Sequence, residues 1–353
     1  MYQAYKSKWE NIDSAGISRL SRDELYDYNM WQRAAKMARR FASKSQATTK
    51  DSEMYNSKPK NHRDEVVRDN YNDINDSNYG NGDVTATDPM HGTHVSGIIG
   101  AQQNNNLGVN GVADNVQIMV LRAVPDGDEY DKDIALAIRY AVDNGTRVIN
   151  MSFGKFYSPG KKWVDDAVKY AQKKDVLLVH AAGNDSKNID KEFNYPSPVS
   201  KDSLFTASNW ITVGASGMSG SGIAAPFSNY GKQSVDVFAP GVRIYSTLPK
   251  ANKYGFLDGT SMAAPVVAGL AALIREYFPA LSATQVKYVI EQSVLKPEEL
   301  VNIPGRNEKV PLSNLCRTGG IVNALGAVEL AFSLKGELKK RAVKKKILKK
   351  ARS

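Results

Sequence analysis

The sequence has 353 residues, of which 42% are hydrophobic and 24% are charged. These values are ordinary for a globular protein with a sizeable core, and no apolar run reaches the roughly 20 residues of a membrane span. The formal net charge is +10, but residues 335–353 alone hold ten Lys or Arg and one Glu. The charge therefore predicts a basic tail and not a basic nucleic-acid-binding face.

The first part of the chain, residues 1–84, differs in pattern from the rest. Ser21 and Glu24 form a capping box, and apolar residues follow at helical spacing as far as Phe41. The remainder is polar and rich in Asn, Asp and Gly, which is typical of loops. No signal peptide is recognised at the N-terminus. We predict a helical and loop region here, followed by a main domain over 85–334 and a tail over 335–353.

From residue 115 onward, short apolar runs alternate with amphipathic segments. Strands are predicted at 117–121, 148–151, 176–179, 211–214 and 235–238, and helices at 131–144, 163–174, 262–277 and from a capping box at 282–285. Such alternation predicts a mostly parallel sheet between two layers of helices, and the apolar runs indicate strands buried on both faces. The fold class is therefore α/β. The single cysteine, Cys316, excludes an internal disulfide.

Three segments carry residues suited to nucleophilic catalysis, namely 91–100, 180–184 and 258–269. A serine hydroxyl needs a base to take its proton, and Ser261 stands between a Gly-Thr turn and a long apolar helix. The free N–H groups and the dipole at a helix N-terminus favour negative charge developing there. Asn184 ends a buried strand, where its amide is suited to stabilise an oxyanion.

In this order, the three segments resemble the His, Asn and Ser motifs of the subtilisin-like serine peptidases (subtilases, peptidase family S8). Similar stretches at 150–154, 227–231 and 239–241 extend the resemblance over roughly residues 85–295. The resemblance implies a subtilisin-like three-layer α/β/α fold with an N-terminal helical insertion. It also implies hydrolysis of peptide bonds without an organic cofactor.

The resemblance implies a role for each matching residue. Ser261 attacks the scissile carbonyl, His91 acts as the general base, and Asn184 forms the oxyanion hole with the backbone N–H of Ser261. The substrate cleft would be lined by Ser152, Phe153 and Gly154 on one side and by Ala181, Ala182 and Gly183 on the other. The small size of Ala181, Ala182 and Gly183 favours a large apolar or aromatic side chain before the cleaved bond.

The third member of the triad, an aspartate at the end of a buried strand, is not found before His91. Asp13 resembles it only faintly, because Ala15 disrupts the Asp-Ser-Gly spacing and residues 8–11 do not form an apolar strand. We therefore expect residues 1–90 to correspond to an insertion between the Asp and His motifs. The Asp-bearing strand would then be missing from this sequence and activity would be impaired.

His94 and His180 are interpreted as structural residues. We expect His94 and His180 to pack in the protein interior, and the spacing of His91 and His94 does not suit zinc. No metal is predicted at the catalytic residues. Residues 103–111 resemble the calcium loop of the family, so calcium is retained as an option beside a solvated polar loop.

Two functions stay open at this point. The first is a serine endopeptidase acting on peptides or proteins, and the second is an inactive subtilase-like domain that binds extended peptides or a partner. We expect a monomer without a nucleic-acid partner; binding of anionic lipid or nucleic acid by residues 339–352 is the less favoured alternative to a solvated tail. The compartment is not determined by the sequence, although the resemblance implies a secreted or cell-envelope protein.

Overall fold

The computed structural model describes residues 62–85, 88–125, 127–217, 222–249 and 253–338, together with residues 19, 20, 24 and 28. The chain divides into two units between Asp69 and Asn70. In the first unit, helix α1 (His62–Val66) is followed by a buried ion pair in which Arg63 Nε lies 2.7 Å from Asp69 Oδ1. Asp13, the body of the helix predicted after Ser21, and the tail beyond residue 338 lie outside the described residues.

A four-stranded parallel sheet in the order β1-β2-β3-β4 forms the centre of the second unit. Its strands are β1 (Val148–Met151), β2 (Leu177–Ala181), β3 (Trp210–Ser216) and β4 (Val237–Pro240). Every residue of β2 and β3 is buried, as the uninterrupted apolar runs predict. The predicted parallel sheet is thus confirmed.

Helices cover both faces of this sheet. Helices α2 (Met90–Gly100), α3 (Asp131–Asp143), α4 (Lys161–Lys173), α5 (Thr260–Tyr277), α6 (Ala283–Gln292) and α7 (Ala324–Ser333) belong to the second unit. Because side chains alternate across a strand, Leu178 packs with α3 and α4, whereas Leu177 and Val179 pack with α5 and α6. The three-layer α/β/α class predicted from the sequence is confirmed.

Smaller elements complete this unit. Strands β5 (Ile244–Thr247) and β6 (Tyr254–Leu257) form an antiparallel pair, as do β7 (Val301–Asn302) and β8 (Lys309–Val310). The predicted capping box at the start of α6 is confirmed, since Ser282 and Gln285 bond each other's backbone N–H. Among the described residues, no helix has the length and hydropathy required to cross a membrane.

The two edges of the parallel sheet differ. At the β4 edge, Phe238 donates its N–H to the Gly320 carbonyl (3.1 Å) and accepts from Val322 N–H (2.8 Å). At the β1 edge, no further strand pairs with the sheet among the residues described. The strand predicted at 117–121 is wrong as a paired strand, because these residues have no sheet partner and are exposed.

Helix α2 approaches β5 so closely that only glycine fits at one position. A Cβ on Gly97 would lie 2.2 Å from Thr247 Oγ1 and 2.5 Å from Ser246 Oγ. These hydroxyls donate to the carbonyls of Thr93 and His94, each at 2.8 Å. The two bonds fix the first turns of α2, which carry His91.

We predict that Gly97→Ala lowers the free energy of unfolding by about 1–3 kcal/mol. The added methyl group would push α2 away from β5 and disturb the hydrogen bonds from the Thr247 and Ser246 hydroxyls. Gly92→Ala is the matched control, since its Cβ meets nothing within 4 Å on the same helix. It should leave stability unchanged or raise it by up to about 1 kcal/mol. Urea denaturation measures both, and equal effects would contradict the close approach at Gly97.

Candidate active site

Ser261 lies in the first turn of α5, beside the carboxyl end of β1. Gly259 precedes this turn at φ +147°, a conformation that favours glycine. Ser261 Oγ donates to the Ser152 carbonyl at 3.2 Å, and Ser152 Oγ donates back to the Ser261 carbonyl at 2.9 Å. The hydroxyl therefore stands at a helix N-terminus, held against the residue that follows β1.

Asn184 is fixed in orientation by Thr260. Its Oδ1 accepts from the Thr260 backbone N–H at 2.8 Å and from Thr260 Oγ1 at 3.0 Å. Thr260 Oγ1 in turn accepts from Gly183 N–H at 3.0 Å. With its oxygen turned to the helix, Asn184 keeps its NH₂ group as a hydrogen-bond donor beside Ser261.

Two supporting residues were not singled out from the sequence. Thr260 is completely buried and connects the Asn184 loop to α5. The sequence feature that could have indicated this residue is its position directly before Ser261 in the Gly-Thr-Ser run. Asn229 is also buried, accepts from the N–H groups of Asp185 (3.0 Å) and Lys187 (2.9 Å), and donates to the backbone. The sequence feature that could have indicated Asn229 is the stretch 227–231, which carried part of the family resemblance.

His91 is the second residue of α2, and it is exposed. Helix α2 packs beside α5 through Val95, Ile98 and Met262, which places the two helix N-termini at the same end of the unit. No hydrogen bond joins His91 to Ser261 among the described residues, since the Ser261 hydroxyl is directed to the Ser152 carbonyl. Such contacts often tighten only when substrate binds.

Desolvation dominates the electrostatic setting of His91. The protein around the ring lowers its pKa below the ordinary 6.5 through desolvation. None of the described carboxylates acts in the opposite direction on this pKa. His91 is therefore neutral at pH 7 and able to accept a proton, but nothing among these residues orients its imidazole.

The residues predicted to line the cleft come from the ends of two paired strands. Ser152, Phe153 and Gly154 follow β1 directly and range from half-buried to exposed. Ala181 and Ala182 are buried, and Gly183 is half-buried at φ +100°. These two groups are adjacent because Met151 of β1 pairs with His180 of β2.

The other two candidate histidines make contacts within the interior. His94 Nε2 lies 3.1 Å from the Gly255 carbonyl, and His94 is fully buried. His180 Nε2 lies 2.8 Å from the Phe153 carbonyl, and its ring centroid is 5.3 Å from that of Trp210. Within the described ranges, no group of three or more His, Cys, Asp or Glu side chains is arranged to hold a metal ion.

The loop predicted as a calcium option offers a poor set of ligands. Residues 103–111 contain no carboxylate. Gln103 Nε2 donates to the Gly111 carbonyl at 2.8 Å, and Asn105 Oδ1 accepts from Leu107 N–H at 2.9 Å. Calcium prefers six to eight oxygen ligands, including carboxylates, so this loop does not make a complete site. Calcium binding stays a prediction.

Comparison with known proteins gives a consistent result. The pattern of the subtilase family matches residues 24–320. The chain is 41% identical over 214 residues to a thermophilic serine proteinase of Bacillus sp. (strain AK1), covering 59% of this chain and 49% of that protein. It is 40% identical over 199 residues to subtilisin DY of Bacillus licheniformis, covering 56% of this chain and 67% of the relative. The chain thus spans about half to two thirds of the length of these relatives.

This chain belongs to the subtilase family. Solved structures agree: a prenylagaramide maturation protease superposes with a TM-score of 0.55 at 28% identity, covering 69% of this chain and 82% of that one. A protease of Pseudoalteromonas arctica gives a TM-score of 0.54 at 30% identity, with 68% and 70% covered. The subtilase fold predicted from the His, Asn and Ser motifs is confirmed.

Burial of His180 predicts a pH dependence for the stability of this subtilase. Desolvation lowers its pKa from 6.5 to about 4. Between these values the unfolded chain binds a proton that the folded chain excludes, so stability is lost as the pH falls from 6.5 to 4. The expected loss from this residue is roughly 3 kcal/mol.

The measurement is urea denaturation between pH 7 and pH 4. His180→Gln keeps an N–H donor for the Phe153 carbonyl but cannot be protonated, so its stability should fall less steeply than that of the native chain. Parallel profiles for the two proteins would contradict the assignment of a buried neutral imidazole.

Proposed function

We propose that this subtilase is a serine endopeptidase, with Ser261 as nucleophile, His91 as general base and Asn184 as oxyanion donor. The observation that carries the proposal is the fixed arrangement of Ser261 and Asn184 through Thr260 at the N-terminus of α5. The substrates are peptides or proteins, and family resemblance supports a secreted or cell-envelope location.

The first step is transfer of the Ser261 proton. The hydroxyl turns from the Ser152 carbonyl toward His91, whose lowered pKa leaves its imidazole neutral at pH 7. As Oγ bonds to the scissile carbonyl carbon, the proton passes to His91. The imidazolium then protonates the leaving amine, and an acyl-enzyme remains on Ser261.

Negative charge develops on the carbonyl oxygen during this attack. The Asn184 NH₂ group and the N–H of Ser261 are suited to receive it, and the N-terminal end of the α5 dipole has the favourable sign. Because Oδ1 of Asn184 is already bonded to Thr260, the donor requires no reorientation during the reaction. Hydrolysis of the acyl-enzyme reverses these roles, with water in place of the amine.

The alternative is an inactive domain that binds extended peptides. Two observations favour it: the Ser261 hydroxyl is bonded to a backbone carbonyl, and no described carboxylate acts on the pKa of His91. In this alternative, the residues after β1 still pair with a peptide backbone, but the serine is not activated.

Fluorophosphonate labelling of the purified chain distinguishes the two functions, because the probe reacts only with a base-activated serine. We expect slow labelling that is abolished in both Ser261→Ala and His91→Ala. Circular dichroism and thermal melting of the variants exclude unfolding as the cause. A folded chain that does not label, or that labels equally without Ser261, would support the inactive domain.

Asn184→Asp tests the oxyanion role. The new carboxylate keeps the acceptor for both Thr260 bonds but removes the N–H donor and opposes negative charge. We expect kcat for a peptide substrate to fall by about 10²–10³-fold or more with little change in KM; this range was measured in a subtilisin, a member of the same family. The thermal melting point is the control, and a fall of less than threefold would exclude the role.

A further inference from the structure

The loop that connects β1 to α4 begins with the residues predicted to line one side of the cleft. Ser152 is held by its two hydrogen bonds with Ser261, and the Phe153 carbonyl lies 2.8 Å from His180 Nε2. Gly154 is exposed, and neither its N–H nor its carbonyl is hydrogen-bonded to another residue that the structure describes. Exposed backbone with a donor and an acceptor both unpaired is able to pair with an extended peptide.

Lys155, the next residue, is bonded through both its backbone and its side chain. Its N–H donates to the Tyr195 carbonyl at 2.9 Å, and its carbonyl accepts from the Tyr195 N–H at 2.8 Å. Its side chain is only 6% exposed, and Nζ lies 2.9 Å from Asp131 Oδ1 and donates to the Glu129 carbonyl at 2.5 Å. A buried ammonium is destabilising unless it is paired. The residue after Gly154 is therefore held from two directions.

Asp131 binds the same loop at three points. Its Oδ1 accepts from Ser158 Oγ at 2.7 Å as well as from Lys155, and its Oδ2 accepts from the Gly160 N–H at 2.8 Å. Asp131 is buried and is the first residue of α3, where the helix dipole stabilises a negative charge. One carboxylate on α3 thus determines the course of the loop from Lys155 to Gly160.

The neighbouring carboxyl of Glu129 does not take the place of Asp131. Glu129 is buried, and its Oε1 has no hydrogen-bond partner among the residues described. Desolvation raises the pKa of this carboxyl, and the nearby charge of Lys155 offsets that rise only in part. The ion pair is therefore formed between Lys155 and Asp131.

We propose that the ion pair of Lys155 and Asp131 positions the Gly154 backbone to pair with an extended peptide, so that both are positioning residues for the cleft. The inference rests on the proposed function, because the peptide paired with Gly154 is the one presented to Ser261. Replacing a buried ion pair with apolar residues is often neutral or stabilising, so stability alone does not account for this pair. The bonds to Tyr195 restrain the backbone of Lys155, and the ion pair restrains its side chain.

The test compares two chromogenic substrates that share the leucine at the cleaved bond and differ in length. Succinyl-Ala-Ala-Pro-Leu-p-nitroanilide offers a backbone that can pair with Gly154, whereas acetyl-Leu-p-nitroanilide offers a single residue. The ratio of their kcat/KM values measures this pairing and is independent of the amount of active enzyme. In Lys155→Met we expect the ratio to fall by about 10- to 100-fold, since a displacement of about 1 Å at a positioning group has effects of that order.

Two further variants separate positioning from stability. Lys155→Met leaves Asp131 as an unpaired buried charge, whereas Lys155→Met combined with Asp131→Asn removes both charges. The double variant should regain much of the lost melting temperature but keep the lowered ratio, and it carries the comparison if the single variant does not fold. Arg275→Met is the matched control, because Arg275 is a buried cation paired with Asp175 at the opposite end of α5. It should lower the melting temperature and leave the ratio unchanged.

Peptide affinity is measured as well, so that the inference does not depend on turnover. The fluorescein-labelled peptide Ala-Ala-Pro-Leu-Ala-Ala is titrated into Ser261→Ala, and fluorescence anisotropy gives its Kd. Adding Lys155→Met to this variant should raise the Kd by a factor similar to the fall in the substrate ratio. Adding Arg275→Met should leave the Kd unchanged.

The outcomes distinguish this inference from the proposed function. A ratio that does not change in Lys155→Met, or that recovers in the double variant, overturns the positioning role, while cleavage that requires Ser261 still upholds the peptidase. If the native chain cleaves neither substrate, the peptidase is overturned and the positioning role is decided by the peptide Kd of the binding domain. Absence of peptide binding, or a Kd that Lys155→Met does not raise, then overturns the positioning role too.

Discussion

The reciprocal hydrogen bonds between Ser152 and Ser261 join the carboxyl end of β1 to the N-terminus of α5, and the site depends on this junction. A parallel strand leaves its last backbone groups unpaired at its carboxyl end, and a helix leaves its first N–H groups unpaired. Where the two ends meet, polar backbone surrounds an accessible hydroxyl. Thr260, between glycine and serine, then ties the next strand end to the same helix through Asn184.

The Asn184 side and the His91 side of the candidate site differ in how firmly their residues are held. The Asn184 side of the candidate site is held by buried groups: Thr260 and Asn229 are fully buried and bonded on several sides. The His91 side depends on α2, which is held against β5 by close packing at Gly97 and by two hydroxyl hydrogen bonds. His91 itself is exposed and lacks an orienting carboxylate among the described residues.

The asymmetry of the sheet has a physical basis. A parallel sheet needs helices over both faces, because its strands are apolar on both sides. It also needs partners or cover at both edges, because the edge strands carry unpaired N–H and C=O groups. Phe238 at the β4 edge receives that cover from residues 320–322. At the β1 edge, Ile118 and Leu121 are left exposed, although their sequence has the composition of a buried strand. An apolar run forms a paired β-strand only where a neighbouring strand provides partners for its backbone hydrogen bonds.

The sequence by itself determined the family and the parallel sheet, and it indicated Ser261, His91 and Asn184 as candidate site residues, since short motifs and apolar periodicity are local properties of the chain. It also determined that no aspartate follows an apolar run ahead of His91. Only the tertiary structure decided that residues 117–124 lie unpaired, that the Ser261 hydroxyl bonds to Ser152, and that Thr260 fixes the orientation of Asn184. These features depend on which strand ends and helix ends meet in space, and residues as far apart as 152 and 261 carry no local signal of that meeting.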